Sequence, residues 1–180
     1  MNRPHQIQTA LSHIRAADPT MRRLMDAVGP FTLRPERKRR FSVLVRAIMS
    51  QQVGLSRQKA SYLLDLAEKC LDGTVRLDRI GRLADEAVIE MLTEVKGIGR
   101  WTAEMFLIFS LGRLDVLPVD DLGVRAAIRD LYALAGLPDK KTCVEIAAPW
   151  RPYATIGSWY CWRSLDLKRN VRQVEKGYPT

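Results

Sequence analysis

The stretch Leu92-Thr-Glu-Val-Lys-Gly-Ile-Gly-Arg-Trp-Thr-Ala-Glu-Met-Phe106 constrains this chain more than any other. An apolar run ends at Leu92, two glycines bracket Ile98, and a new helical pattern through Trp101, Met105 and Ile108 begins at once, so the stretch reads as two helices joined by a hairpin turn. Glycine tolerates φ > 0 and has no Cβ, so Gly97 and Gly99 let the backbone approach a partner closely while Ile98 anchors the turn inside. The first amides of the next helix point outward with the positive end of its dipole, which suits a phosphate, and Arg100 stands where it adds charge. Taken alone, the pattern also fits an ordinary turn of a helical bundle.

The remaining sequence reads as helical too. Apolar residues at Ile7, Ala10, Leu11 and Ile14 mark a helix over 6–17, and Asp18-Pro19 supplies a cap and a first-turn proline for a second helix through Val28, stopped by Gly29-Pro30. Residues 31–40 form a loop ending in Arg37-Lys-Arg-Arg40, the densest basic cluster in the chain, which suits a solvated loop and a phosphate contact equally. A helix over 41–50, a turn at Gln51-Gln52-Val53-Gly54 and a helix from Ser56 to Leu71 precede shorter helical segments at 77–83 and 85–93. Beyond the hairpin, Asp115-Val-Leu-Pro-Val is extended, Asp120 or Asp121 caps a helix to Leu134, and helices follow at 142–148 and 152–165, with a basic tail after Asp166 expected to fray. No strand-turn-strand pattern and no internal repeat is evident. The expected fold is all-α, about ten helices in two lobes of one compact core, with residues 36–113 in one lobe and residues 1–35 plus 114–180 in the other.

At 180 residues and 47% hydrophobic the chain can bury a full core, and a net charge of +9 favours a polyanionic partner. Cys70, Cys143 and Cys161 are too widely spaced for a CxxC-type metal motif and read as reduced core residues. The first residues carry no apolar signal segment, and no run approaches the ~18 apolar residues of a membrane span. A cytoplasmic protein without a membrane partner is expected, nucleoid-associated in a bacterial cell.

Val95-x-Gly-Ile-Gly-Arg-x-Thr-Ala103 followed by Pro118-Val-Asp120, with Arg46-Ala-Ile-Met-Ser-Gln-Gln52 upstream and Pro149-Trp-Arg-Pro-Tyr153 through Trp159-Tyr160 downstream, resembles the helix-hairpin-helix (HhH-GPD) DNA glycosylase superfamily and, within it, the 3-methyladenine DNA glycosylase II type. The resemblance spans residues 38–165, in the right order. It implies a monomeric enzyme of base-excision repair, acting on double-stranded DNA that contains damaged bases, with an active-site cleft between the lobes. The superfamily's Pro-x-Asp pattern puts the catalytic carboxylate at Asp120, with Asp121 beside it to assist or to cap. Hydrolysing an N-glycosidic bond builds positive charge on the sugar, which an ionised carboxylate stabilises directly or by activating water.

Members of the superfamily that also cut the strand resemble this motif with a lysine where this chain has Trp101. Tryptophan there implies hydrolysis by water alone, without lyase activity. It also suits a purine made cationic by alkylation, of the 3-methyladenine or 7-methylguanine type, through a cation–π contact of about 0.5–2 kcal/mol. The resemblance carries Trp159 to the second pocket wall, with Met105 one turn after Trp101 where some relatives have an aromatic. It places Gln52, with Gln51 beside it, at the wedge that fills the stack behind a flipped base, and Gly97, Ile98, Gly99, Arg100 and Thr102 on the DNA backbone. In relatives, backbone carbonyls equivalent to those of Thr93, Val95 and Ile98 hold a monovalent cation, Na+ or K+. No other cofactor is implied, since three scattered cysteines cannot ligate an iron–sulfur cluster. Two alternatives stay open: a non-catalytic helix-hairpin-helix DNA-binding protein, and a glycosylase for oxidised, deaminated or mismatched bases. The intact Pro-Val-Asp beside Trp101 argues against the first, and the missing lysine weakens the oxidised-base form of the second.

Overall fold

The computed structural model describes residues 2–50 and 57–175, with side chains as far as Arg169. Nine α-helices run through the described residues, and no strand is found among them. The chain divides into two compact units: a terminal unit, Met1–Leu33 with Leu114–Thr180, and a central unit, Arg34–Arg113.

In the terminal unit, α1 (Arg3–Ala17) and α2 (Pro19–Val28) meet at Asp18. The Asp18 Oδ1 accepts the amides of Thr20 and Met21 at 2.9 and 3.0 Å, capping α2 behind its first-turn proline. Asp18 is buried, and its Oδ2 accepts Trp150 Nε1 at 2.9 Å and the hydroxyl of Tyr132. Burial and the Asp18 carboxylate together push the Tyr132 phenol well above its ordinary range, so it stays a donor. A carboxylate with four donors meets the requirement that a buried charge be fully hydrogen-bonded. It ties α2 to α7 (Leu122–Leu131) and to the 3-10 turn Ala148–Trp150, which follows α8 (Lys140–Ala147). Ile14, Met21, Val124, Ile128, Ile156 and Tyr160 fill the core around this network, with α9 (Ala154–Glu175) packed against α7 and α2.

Several helix ends differ from expectation. Helix α7 stops at Leu131 instead of Leu134: Ala133 turns left-handed at φ 51° and the Leu134 amide closes on the Arg129 carbonyl at 2.9 Å, a Schellman-type end reached before Gly136. Helix α9 starts at Ala154 and runs past Asp166, where fraying is expected, to Glu175; Lys168 Nζ meets Asp130 Oδ2 at 2.8 Å and ties this turn to α7.

The central unit holds α3 (Arg40–Met49), α4 (Arg57–Leu71), α5 (Asp85–Thr93) and α6 (Arg100–Phe106), with Leu44, Ile48, Leu66, Leu92, Phe106 and Ile108 buried. The helix expected over 77–83 shrinks to a 3-10 turn at Ile80–Arg82, because so short a run around Gly81 cannot offset the cost of helix nucleation. Helix α6 passes into a π-helical turn, Leu107–Leu111, that ends on Gly112. Of the cysteines, Cys143 and Cys161 are buried as expected, whereas Cys70 is only half-buried. The expected Gln51–Gly54 turn and Ser56 cap lie outside the described residues.

Three contacts fix the hairpin turn between α5 and α6. Ile98 is buried, and the Lys96 amide donates to Asp65 Oδ2 of α4 at 2.8 Å. That amide, reinforced by Lys69, holds the Asp65 carboxyl below its usual range. Gly97 sits at φ 82° against the Tyr62 ring, where an added Cβ would come within 2.2 Å of the ring carbons. Gly97→Ala therefore combines left-handed strain with overpacking, and a loss of about 2–4 kcal/mol is expected, lowering the melting temperature by roughly 5–10 °C. Gly99→Ala, whose added Cβ meets nothing within 4 Å, should cost less than about 1 kcal/mol. Equal melting temperatures for the two variants would contradict this packing.

Candidate active site

The segment leading to Asp120 is stitched to the first turn of α9. The Leu114 carbonyl accepts the Thr155 amide at 3.0 Å, the Val116 amide donates to Thr155 Oγ1 at 2.9 Å, and the Asp115 carboxylate takes the Ala154 amide at 3.1 Å and Arg151 Nη1 at 2.9 Å. Val116, Leu117 and Pro118 are buried, so the chain cannot slide. The Asp121 amide then donates to the Pro118 carbonyl at 3.0 Å, closing a β-turn with Asp120 at its third position.

The two adjacent carboxylates have separate tasks. Asp121 is the cap of α7: its Oδ1 accepts the Val124 amide at 2.8 Å and Trp162 Nε1 at 2.9 Å. Asp120 makes an ion pair with Lys140 Nζ at 2.5 Å, from the start of α8, with side-chain exposures of 35% and 61%. An ion pair this exposed contributes about 0–1 kcal/mol. A stronger cation can therefore take Asp120 from Lys140, whereas Asp121 cannot leave its donors without uncapping α7.

Trp159 and Trp162 lie one turn apart on α9. Trp159 is 8% exposed, edge-on to Phe31 and to Tyr160 at 4.9 Å each, and the Arg163 guanidinium stands 5.9 Å from its ring centroid. The indole thus already takes a cation within the range of a cation–π contact.

Trp101, Met105 and the hairpin belong to the central unit, whereas Asp120, Asp121 and Trp159 belong to the terminal unit. Trp101 is 42% exposed, and Met105 is half-buried one turn later. Helix α6 begins at Gly99 without a side-chain cap, Gly97 is half-buried, and Gly99 is exposed. The Thr102 side chain is buried, so only its amide belongs to the helix start. Arg100 pairs with both oxygens of Glu86, at 2.7 and 2.9 Å, and with Glu104 at 3.2 Å, so its charge is countered from within the unit. These carboxylates raise the Arg100 pKa, and Arg100 holds the Glu86 carboxyl below its ordinary range. Gln51 and Gln52 lie outside the described residues.

Backbone oxygens suit a monovalent cation at the hairpin. Thr93 ends α5, where carbonyls lie beyond the helical ladder, and the Val95 carbonyl accepts the Ile98 amide at 3.0 Å with a second lone pair remaining. Oxygens of Thr93, Val95 and Ile98 would hold such an ion, which would supply positive charge for a phosphate oxygen.

The sequence reading passed over Lys140, Trp162, Asp65, Tyr62, Glu86 and Glu104. The indole N–H of Trp162 is the donor that engages Asp121. Glu104 carried a signal, standing four residues after Arg100 on one helix face. The others act across the fold at no regular spacing.

A family model for the HhH-GPD superfamily base excision DNA repair protein matches residues 6–152. The chain belongs to that superfamily. It is 32% identical over 205 aligned positions to DNA-3-methyladenine glycosylase 1 of Schizosaccharomyces pombe, covering 90% of this chain and 89% of that protein. Its fold is similar to a solved S. pombe 3-methyladenine DNA glycosylase in complex with abasic DNA, at a TM-score of 0.79 and 31% identity over 86% of this chain and 95% of that one. It is similar too to a DNA-3-methyladenine glycosidase from Bacillus halodurans, at a TM-score of 0.77 and 29% identity over 86% of this chain and 88% of that one. This HhH-GPD chain is a DNA N-glycosylase, a hydrolytic enzyme of base-excision repair.

Within this HhH-GPD protein the two aspartates separate by stability. Asp121→Ala removes a helix cap and leaves an indole N–H without its acceptor, for an expected loss of about 1–3 kcal/mol. Asp120→Ala removes only an exposed ion pair and should shift stability by less than about 1 kcal/mol. Denaturant titration of both variants measures the contrast, and equal losses would contradict the assignment.

Proposed function

We propose that the chain excises alkylated purines of the 3-methyladenine and 7-methylguanine type from double-stranded DNA, with Asp120 as the carboxylate that drives hydrolysis of a flipped nucleotide's glycosidic bond. The observation that carries this reading is the division of labour at the Pro-Val-Asp-Asp turn. Asp121 is committed to α7, while Asp120 is held on a fixed turn with only the exposed Lys140 pair to give up. As the glycosidic bond lengthens, positive charge gathers on the sugar, and a preplaced carboxylate stabilises it electrostatically or takes a proton from the attacking water. The relatives named for 3-methyladenine support the lesion class.

The enzyme is monofunctional in this reading. Trp101 stands where strand-cutting members carry a lysine, and Lys96, on the other side of the turn, faces Asp65 at 3.7 Å. Neither Trp101 nor Lys96 supplies an amine at the motif position that strand-cutting members use, so the product in this reading is an abasic site. Trp101 offers its exposed indole to a cationic base, with Met105 one turn after it; Trp159, buried against Phe31 and Tyr160, serves as the second tryptophan without an open face, and Gln52 with Gln51 fills the vacated stack. The α6 amides and the glycine turn hold the backbone while Arg100, engaged by Glu86 and Glu104, orients α6. The protein acts as a cytoplasmic monomer, with no cofactor beyond a hairpin Na+ or K+.

Incubation with methylated duplex DNA tests this reading. Chromatography should detect free 3-methyladenine or 7-methylguanine, and denaturing gels should show breaks only after alkali. Breaks without alkali would contradict monofunctionality. Salt-sensitive DNA binding without base release would favour a non-catalytic binding protein.

A further inference from the structure

A second basic feature lies in the central unit, apart from the hairpin residues. A cavity of about 320 Å³ is lined by Arg37, Arg40, Gly81, Leu111, Gly112 and Arg113. Two of its three arginines are positioned by backbone carbonyls. Arg40 Nη1 donates to Leu77 O at 2.5 Å, and Arg113 Nη2 donates to Leu83 O at 2.6 Å and Gly81 O at 3.2 Å. Gly81 makes room for this: an added Cβ would stand 3.1 Å from Arg40 Nη2.

The charges around the cavity are unbalanced. Arg40 uses one of its five donors, and its Nε is buried without an acceptor among the described residues, which is unfavourable unless an acceptor arrives. Arg37 is exposed, and no described carboxylate pairs with it. Arg113 meets Asp85 at 3.1 Å, while the nearby Glu36 and Asp78 already pair with Arg46 and Arg79. Arg40 is moreover the first residue of α3, whose N-terminus has neither a side-chain cap nor an acidic residue in its first turn, and Arg37, Lys38 and Arg39 immediately precede it. Cations gathered at the positive end of a helix dipole destabilise it, so the cluster works against the fold unless an anion joins it.

We infer that the cavity between Arg37, Arg40 and Arg113 is a phosphate-binding site, preorganised by the Leu77, Gly81 and Leu83 carbonyls and separate from the hairpin. Its ligand is a phosphate group, delivered either by the backbone of a bound DNA or as a free phosphate or mononucleotide. Arg37 and the donors that Arg40 does not give to Leu77 supply hydrogen bonds to the phosphate oxygens, while Arg113, held by Leu83, Gly81 and Asp85, adds its charge from a fixed position. The inference does not depend on the proposed excision reaction.

The test is an NMR titration of the full chain with inorganic phosphate, in a phosphate-free buffer of low ionic strength, against sodium chloride at matched ionic strength. The Arg40 Nε–H and the Gly81 and Gly112 amides should shift saturably with phosphate and not with chloride. Arg37→Ala, at an exposed position that leaves the fold intact, should weaken the apparent affinity about five-fold. Arg40→Gln should abolish the response. The salt dependence of binding to undamaged duplex then identifies the source. A slope smaller by about one in Arg37→Ala assigns the phosphate to DNA, and an unchanged slope assigns it to a free phosphate or nucleotide. Absence of a saturable, phosphate-specific shift at Arg40 overturns the site, whatever the DNA slope.

Discussion

The hydrogen bonds to Asp121 are what the candidate site rests on. One carboxylate oxygen accepts the Val124 amide that starts α7 and the indole N–H of Trp162 on α9. Those two donors lock the α7 entry onto α9, and the start of α9 is stitched to residues 114–116 through Thr155 and Asp115. The turn between these anchors has almost no freedom, and Asp120 is its one acidic side chain outside the structural hydrogen bonds. A preplaced charge of this kind needs no reorganisation when positive charge develops beside it, which is the condition for electrostatic catalysis.

The central unit is built on the same principle with different chemistry. The Asp65 carboxylate fixes the hairpin through a backbone amide, the Tyr62 ring through the bare face of Gly97, and the core through Ile98. These contacts leave the α6 start uncapped, and they make the hairpin backbone, instead of its one arginine, the feature presented outward. Arg100 is the basic residue the motif draws the eye to, and two glutamates hold it within its own unit. At Arg37 and Arg40 the situation is reversed, since cations accumulate at a helix start with few carboxylates to meet them.

Helices and their caps were largely legible in the sequence because local rules determine them. Asp18-Pro19 announces α2, the Gly-Ile-Gly turn announces α6, and the all-α class follows from uninterrupted helical periodicity. Helix ends set by tertiary contacts were not. Ala133 closes α7 in a conformation usually reserved for glycine, and Lys168 reaches Asp130 to hold a stretch of α9 that composition alone marks as frayed. The site was legible as far as a motif can carry it. Asp120 and Asp121 are indistinguishable as caps before an apolar run, and only the bonds from Val124 and Trp162 to the Asp121 carboxylate separate them. Lys140 could not be found at all, because an exposed lysine at the head of another helix carries no mark of the carboxylate it meets.

The central claim is that the charge on Asp120, and nothing else at that turn, drives base release. Single-turnover excision by Asp120→Asn on methylated duplex, with DNA affinity measured in parallel, tests it most directly, since asparagine keeps the shape and removes the charge. The account predicts release slowed by at least about 100-fold with affinity within about two-fold of the parent protein. Excision by Asp120→Asn at close to the parental rate would contradict it.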